Sequence, residues 1–133
     1  MKNLKVYRII DANLNRAREG LRVIEDGARF LFNDKTITSK ITKLRHSLES
    51  VTRKIYPELI AARDSVRDVR GSQKEEKRKD LKGVFASNFR RVEEAMRVLE
   101  EYSKLVSKDA GHKFKKIRFS LYIIEKQLMR KLS

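Results

Sequence analysis

No cysteine occurs in this chain, which removes disulfides, thiolate metal sites and thiol nucleophiles at once. Tryptophan is missing, proline occurs once and glycine five times. Folds built from strands and tight turns use more of both, so this scarcity favours helices. No apolar run exceeds four residues, as in LIAA at 59–62, so no segment can span a membrane as a helix. The N-terminus lacks an apolar stretch of secretory-signal length. A cytoplasmic protein is the expectation. Walker, GxGxxG, GxSxG and HExxH motifs are absent as well. Phosphate groups, if bound, must be held by side chains.

Positive charge, by contrast, is abundant. The 133 residues carry a formal net charge of +15. Residues 35–56 hold six basic and one acidic side chain, and 111–133 hold seven and one. Those two segments supply +11 of the total. Charge so concentrated implies a polyanionic ligand, or nucleic acid, more than general solubility. Aromatic residues are only 8% of the chain and fall mostly on packing positions, which weighs against base stacking.

An internal repeat organises the chain. NLNRAREGLRVIE at 13–25 returns 75 residues later as NFRRVEEAMRVLE at 88–100. Asn13, Arg16, Glu19, Arg22, Val23 and Glu25 recur as Asn88, Arg91, Glu94, Arg97, Val98 and Glu100. A second block, KLRHSL at 43–48, returns as KIRFSL at 116–121. Packing alone preserves apolar positions; here polar ones are kept better, which implies that they contact something.

Hydrophobic spacing predicts a helix over about 8–32, with Ile10, Leu14, Ala17, Leu21, Ile24, Ala28 and Leu31 on one seam. Thr36 or Thr38 is the expected cap of a second helix, about 37–56, with its seam at Ile37, Ile41, Leu44, Leu48, Val51 and Ile55. Pro57 should stop it. A connector over 57–81, helical in part at 58–66, leads to helices at about 82–107 and 111–132. The expected fold is all-α: one domain, residues 1–133, a four-helix bundle of two repeated αα-hairpins (about 8–56 and 82–132). Pseudo-twofold symmetry and a long crossover complete it. Phe119 and Ile123 should form an exposed apolar pair.

The helical wheel supplies candidate site residues. Asn13 and Arg16, like Asn88 and Arg91, fall inside an apolar arc that Val23 and Phe30 extend. A half-buried arginine needs a counter-charge, either a carboxylate one turn away (Glu19, Glu94) or an anionic ligand. Arg22 should be exposed. Gly20 and Gly27 lie on the Asn13 stripe and mark a close approach, by another helix or by a ligand. Their counterparts are Ala95 and Tyr102, so the repeats diverge there. In ARDSVRD, Asp64 and Asp68 at i, i+4 can hold Mg²⁺ if helical, or pair with Arg63 and Arg67. His46 points away from its seam.

RIIDANLNRAREGLRVIEDGARF, the KLRHSL block, AARDSVRD and NFRRVEEAMRVLEEYSKL together resemble the helical N-terminal domain of certain bifunctional thiamine-phosphate synthases, over about 8–132. That domain is an alternative hydroxymethylpyrimidine phosphate kinase. The resemblance implies transfer of the ATP γ-phosphoryl group onto hydroxymethylpyrimidine phosphate, with Mg²⁺ and ATP as co-substrate. It implies Arg16, Arg22 and Arg91 in catalysis, and Asn13, Glu19, Gly20, Arg45, Arg63, Asn88 and Glu94 in substrate binding. Asp64 and Asp68 would hold metal. Where the family continues Asp-Val-Gly after the connector aspartate, Arg70 stands here between Val69 and Gly71. The synthase barrel is not in the sequence, so a freestanding kinase is expected. Homo-oligomers or contact with a thiamine-phosphate synthase are the expected partnerships. The alternative is a basic helical module for nucleic acid.

Overall fold

The computed structural model describes residues 3–71 and 75–132, and among them there are helices and no strand. Residues 72–74 of the expected connector lie outside the described residues. Four long helices carry the bundle: α1 (Leu4–Asp26), α2 (Lys35–Lys54), α4 (Leu81–Ser103) and α5 (Ala110–Arg130). A short α3 (Tyr56–Ala62) sits between the hairpins.

The predicted seam of α1 is buried from Ile10 to Ala28, but Leu31 is 58% exposed. The reason is a π-helical turn over Gly27–Leu31 that continues α1. A π turn holds roughly one more residue than an α turn and rotates the residues after it off the seam. Val23 and Phe30, expected as a second apolar edge, are also exposed. Asn33 then turns the chain with a positive φ of 50°, a conformation asparagine tolerates better than most residues.

Asp34, not Thr36 or Thr38, caps α2: its carboxylate accepts a 2.8 Å hydrogen bond from the Ile37 amide. That bond is the main reason the Asp34 carboxyl is held below its ordinary value. Pro57 acts differently from expectation. The kink falls at Ile55, and Pro57 occupies the first turn of α3, where its missing N–H has no intrahelical partner to lose.

Helices α1 and α4 form the central pair, α5 lies along α4, and α2 and α3 share the flank of α1. Gly20 lies against Asn88 and Val92, and Gly27 against Phe85, so α1 and α4 run antiparallel. A Cβ on Gly27 would come within 2.2 Å of the Phe85 ring, and one on Gly20 within 2.6 Å of Val92. Both glycines therefore serve helix packing. The α5 seam, Phe114, Ile117, Leu121, Ile124 and Leu128, is buried throughout. Phe119 and Ile123 are exposed beside it, as expected.

Candidate active-site face

The predicted residues separate into two groups. Asn13, Arg16, Glu19 and Gly20 of α1 and Asn88, Arg91 and Glu94 of α4 lie at or beside the α1–α4 contact. Asn13 is 4% exposed, and its side-chain amide donates to the Ile9 carbonyl at 2.9 Å. Asn88 repeats that bond to Val84 at 2.8 Å. Arg16 and Arg91, expected half-buried, are exposed. On α1 the arc that was to bury Arg16 is open, because Val23 is exposed on one side. Arg16 donates to Asn13 at 3.4 Å and does not pair with Glu19; Arg91 does not pair with Glu94. Neither arginine strands a buried carboxylate.

The second group is held by a polar stripe that the apolar periodicity does not reveal. Arg8, Asp11, Asn15, Arg18, Arg22, Glu25 and Arg29 recur at steps of three and four, and so share one face of α1. Neighbouring elements tie into it. Arg63, just past the end of α3, donates two hydrogen bonds to the buried Asp11 carboxylate, at 2.6 and 2.8 Å. Asn15 donates to Asp11 at 3.4 Å, and Arg18 donates to Asn15 at 2.8 Å. Arg8 reaches the Asp64 carbonyl at 3.0 Å. Towards the other end, Arg45 of α2 forks onto buried Glu25 at 3.0 and 3.3 Å and also meets Glu49 at 3.0 Å. Arg22 joins Glu25 at 3.3 Å. The carboxylate bonds hold the Arg45 and Arg63 guanidiniums charged more firmly than usual, Glu25 acting on one and Asp11 on the other.

The same stripe on α4 reads Gly83, Ala86, Arg90, Glu93, Arg97, Glu100 and Lys104. Its C-terminal half repeats the pairing: Arg118 of α5 forks onto buried Glu100, and Arg97 approaches the same carboxylate at 3.7 Å. Its N-terminal half does not. Ala86 stands where Asp11 would be, and Glu93 where Arg18 would be. Burial, with Glu125 of α5 beside it, pushes the Glu93 carboxyl up to about 8. One Glu93 oxygen is buried without a hydrogen-bond partner.

The expected metal ligands do not form a helical pair. Asp64 and Asp68 come after the end of α3, and each accepts a local backbone amide, from Arg67 at 3.3 Å and Arg70 at 2.9 Å. Among the described residues no three Asp, Glu or His side chains converge on a common point. Asp64 and Asp68 thus stand in local turns, not in the helical i, i+4 pair expected to hold Mg²⁺.

Asp11, Asn15, Arg18 and Glu25 were legible as a polar stripe running alongside the apolar seam at the same spacing. Which partner each would meet was not, because Arg63 comes from a segment 52 residues away in sequence.

Residues 8–127 match the ThiD2 family. The chain is 46% identical over 128 residues to a thiamine-phosphate synthase of Nostoc punctiforme, covering 93% of this chain and 35% of that protein. It is 41% identical over 128 residues to that of Synechocystis, covering 93% and 36%. For Rhodopirellula baltica the figures are 39% over 132 residues, covering 96% and 35%. The chain thus spans about a third of the length of these curated relatives. No solved structure matches it significantly. No helix among the described residues is long and apolar enough to cross a membrane. The family match takes in both hairpins, the α1 stripe and the α3 segment that completes it: this chain belongs to the ThiD2 family.

Proposed function

We propose that the chain is an ATP-dependent kinase that converts hydroxymethylpyrimidine phosphate to the diphosphate in thiamine biosynthesis. One observation carries this reading: five arginines, Arg8, Arg18, Arg22, Arg45 and Arg63, lie along one face, with Asp11, Glu25 and Glu49 paired among them and Asp64 at the Arg8 end. The two buried carboxylates orient guanidiniums and leave the face with an excess of cations.

That chemistry suits a phosphate acceptor. A phosphate monoester is largely dianionic at neutral pH, its second pKa being about 6, so no general base is required. An acceptor oxygen attacks the γ-phosphorus, the new P–O bond forms, and the bond to the bridging oxygen of the leaving ADP breaks. The barrier is the approach of two anionic groups, which fixed cations lower. Arginine is suited to this because its planar fork binds phosphate at two points. Mg²⁺ belongs in this scheme to the ATP co-substrate, and no step is assigned to it. Arg16 and Arg91 border the α1–α4 edge, with Arg16 on the helix that carries the stripe. The relatives' name supports a thiamine-phosphate synthase as the consumer of the diphosphate.

Purified protein incubated with ATP, Mg²⁺ and hydroxymethylpyrimidine phosphate should form ADP and the diphosphate in equal amounts. No product under any ratio of substrates overturns the kinase reading. Stabilisation by RNA alone, with no response to either substrate, would favour the nucleic-acid alternative.

A further inference from the structure

Where α4 gives way to α5 there is a cleft of about 330 Å³, lined by Arg97, Lys104, Lys108, His112, Lys115 and Arg118 around Glu100. Its floor is fixed, because the largely buried Arg118 forks onto buried Glu100. On the rim, Lys104 and Arg97 reach Glu101 at 3.2 and 3.1 Å. Lys108 and His112 make no ion pair among the described residues, and Lys115 faces only the Phe119 ring, at 5.9 Å. Five formal cations thus meet two carboxylates. Gly111 brings the start of α5 close to this floor: a Cβ there would lie 3.3 Å from the Glu100 carbonyl and 3.8 Å from the Ser103 hydroxyl. That hydroxyl is buried and has no hydrogen-bond partner.

The first hairpin contains the equivalent cleft, of about 430 Å³. Arg29, Asn33, Thr38 and Ser39 take the places there of Lys104, Lys108, Gly111 and His112. In that copy the chain supplies its own anion: Asp34 caps α2 and pairs with Lys131 at 3.1 Å. In the second copy Asp109 makes no side-chain capping bond to α5. Two lysines are thus added, Lys108 for Asn33 and Lys115 for Thr42, and the aspartate at the helix start no longer caps it.

We infer that the α4–α5 cleft binds a compact oligophosphate, a ligand with two or more linked phosphate groups. A single phosphate carries a charge of at most about −2, which leaves part of the cleft's cationic excess unmatched. A cleft of this size is at the small end of ligand sites and does not suit an extended strand. The proposal is independent of the kinase reading, because binding here requires no turnover.

The test is titration of sodium tripolyphosphate into the whole chain at about 0.15 M salt, monitored by calorimetry and by amide chemical shifts. Lys108→Glu/Lys115→Glu should weaken binding by about tenfold or more, and wild-type shifts should centre on Gly111 and His112. Lys43→Glu/Lys126→Glu makes the same change in charge on exposed residues outside the cleft and should leave binding within about twofold. Equal losses in the two double variants overturn the site, as do shifts centred on the α1 stripe. A short single-stranded RNA that binds more tightly than tripolyphosphate overturns it as well.

Discussion

Helices α1 and α4 have the same length, 23 residues, and polar stripes at the same spacing, yet their two halves behave differently. In the C-terminal halves the copies agree. Glu25 with Arg45 and Arg22 is matched by Glu100 with Arg118 and Arg97. In the N-terminal halves they part: α1 carries Arg8, Asp11, Asn15 and Arg18 where α4 carries Gly83, Ala86, Arg90 and Glu93. Of the polar residues that the repeat preserves, Glu25 and Glu100 thus hold the hairpins together through Arg45 and Arg118, and Asn13 and Asn88 bond within their own helices. Function is better sought where the copies differ, and α1 has α3 and Arg63 against its divergent half.

The sharpest way to test that division is Arg63→Lys. Lysine keeps the positive charge beside Asp11 and loses the two-point fork. If Arg63 orients or contacts the reacting phosphates, turnover should fall by about 10³-fold, the lower range for charge-stabilising arginines. The melting temperature should change little. Wild-type turnover in this variant would move the site away from the divergent half.

Next in size is the preserved half. Arg118→Ala leaves Glu100 buried, and Arg45→Ala leaves Glu25 buried. Removing one partner of a buried pair costs about 3–5 kcal/mol, so denaturant midpoints should drop clearly in both. Arg118→Ala should be the worse, because Arg97 stands farther from Glu100 than Arg22 does from Glu25, 3.7 against 3.3 Å. The double change Arg118→Met/Glu100→Leu should recover most of the loss. If neither single variant lost stability, these arginines would become candidates for function again.

Apolar periodicity was enough to place four long helices, since each seam keeps one spacing over about four to five turns. It could not reveal the π turn, which begins where Gly27 closely approaches Phe85 across the bundle. The exposure of Arg16 and Arg91 is hidden from sequence for a related reason. A wheel ranks positions by angle, but whether an apolar edge is buried depends on a neighbour, and Val23 and Phe30 stay exposed. For the site, Arg22, Arg45 and Arg63 were legible in the sequence, while the pairing of Arg63 with Asp11 and of Arg45 with Glu25 was not. Buried carboxylates look in sequence like any surface acid until their arginines are located.

Gly27→Ala tests the close approach that aligns the two central helices. Helix propensity alone would favour alanine by about 1 kcal/mol. Against it, the new methyl would overlap the Phe85 ring, and overpacking costs about 1–3 kcal/mol. Net destabilisation in thermal melts is expected; a gain in stability would mean that the interface yields easily.

A pH titration separates α4 from α1 at the Arg18 and Glu93 positions. The folded state keeps Glu93 protonated up to about 8, against an ordinary 4.5, chiefly through burial and then through Glu125. Arg90 opposes that shift and Glu94 adds to it. Between those two values the unfolded chain has released a proton that the folded chain retains, so stability falls as pH rises. Glu93→Gln should remove this slope, with the largest difference from wild type above pH 8. The Asp34 contribution has the opposite sign: it is present above the ordinary carboxylate value and is lost as pH falls through its lowered folded value. Urea midpoints measured across both windows would show whether each slope belongs to its residue.

The smallest effects are expected from Arg16→Ala and Arg91→Ala. Both side chains are exposed and neither holds a buried carboxylate, so stability should stay within about 0.5 kcal/mol of wild type. Any difference between them should therefore appear in turnover. Arg16 is on the helix that carries Asp11 and Arg18, whereas Arg91 is on the copy that has lost them. Loss of Arg16 should slow phosphoryl transfer more than loss of Arg91. Steady-state rates at saturating ATP, with the acceptor varied, would report the order. Equal rates would show that the α1–α4 edge does not border the reacting groups. A larger loss at Arg91 would place the chemistry on the α4 side and reverse the assignment of the two copies.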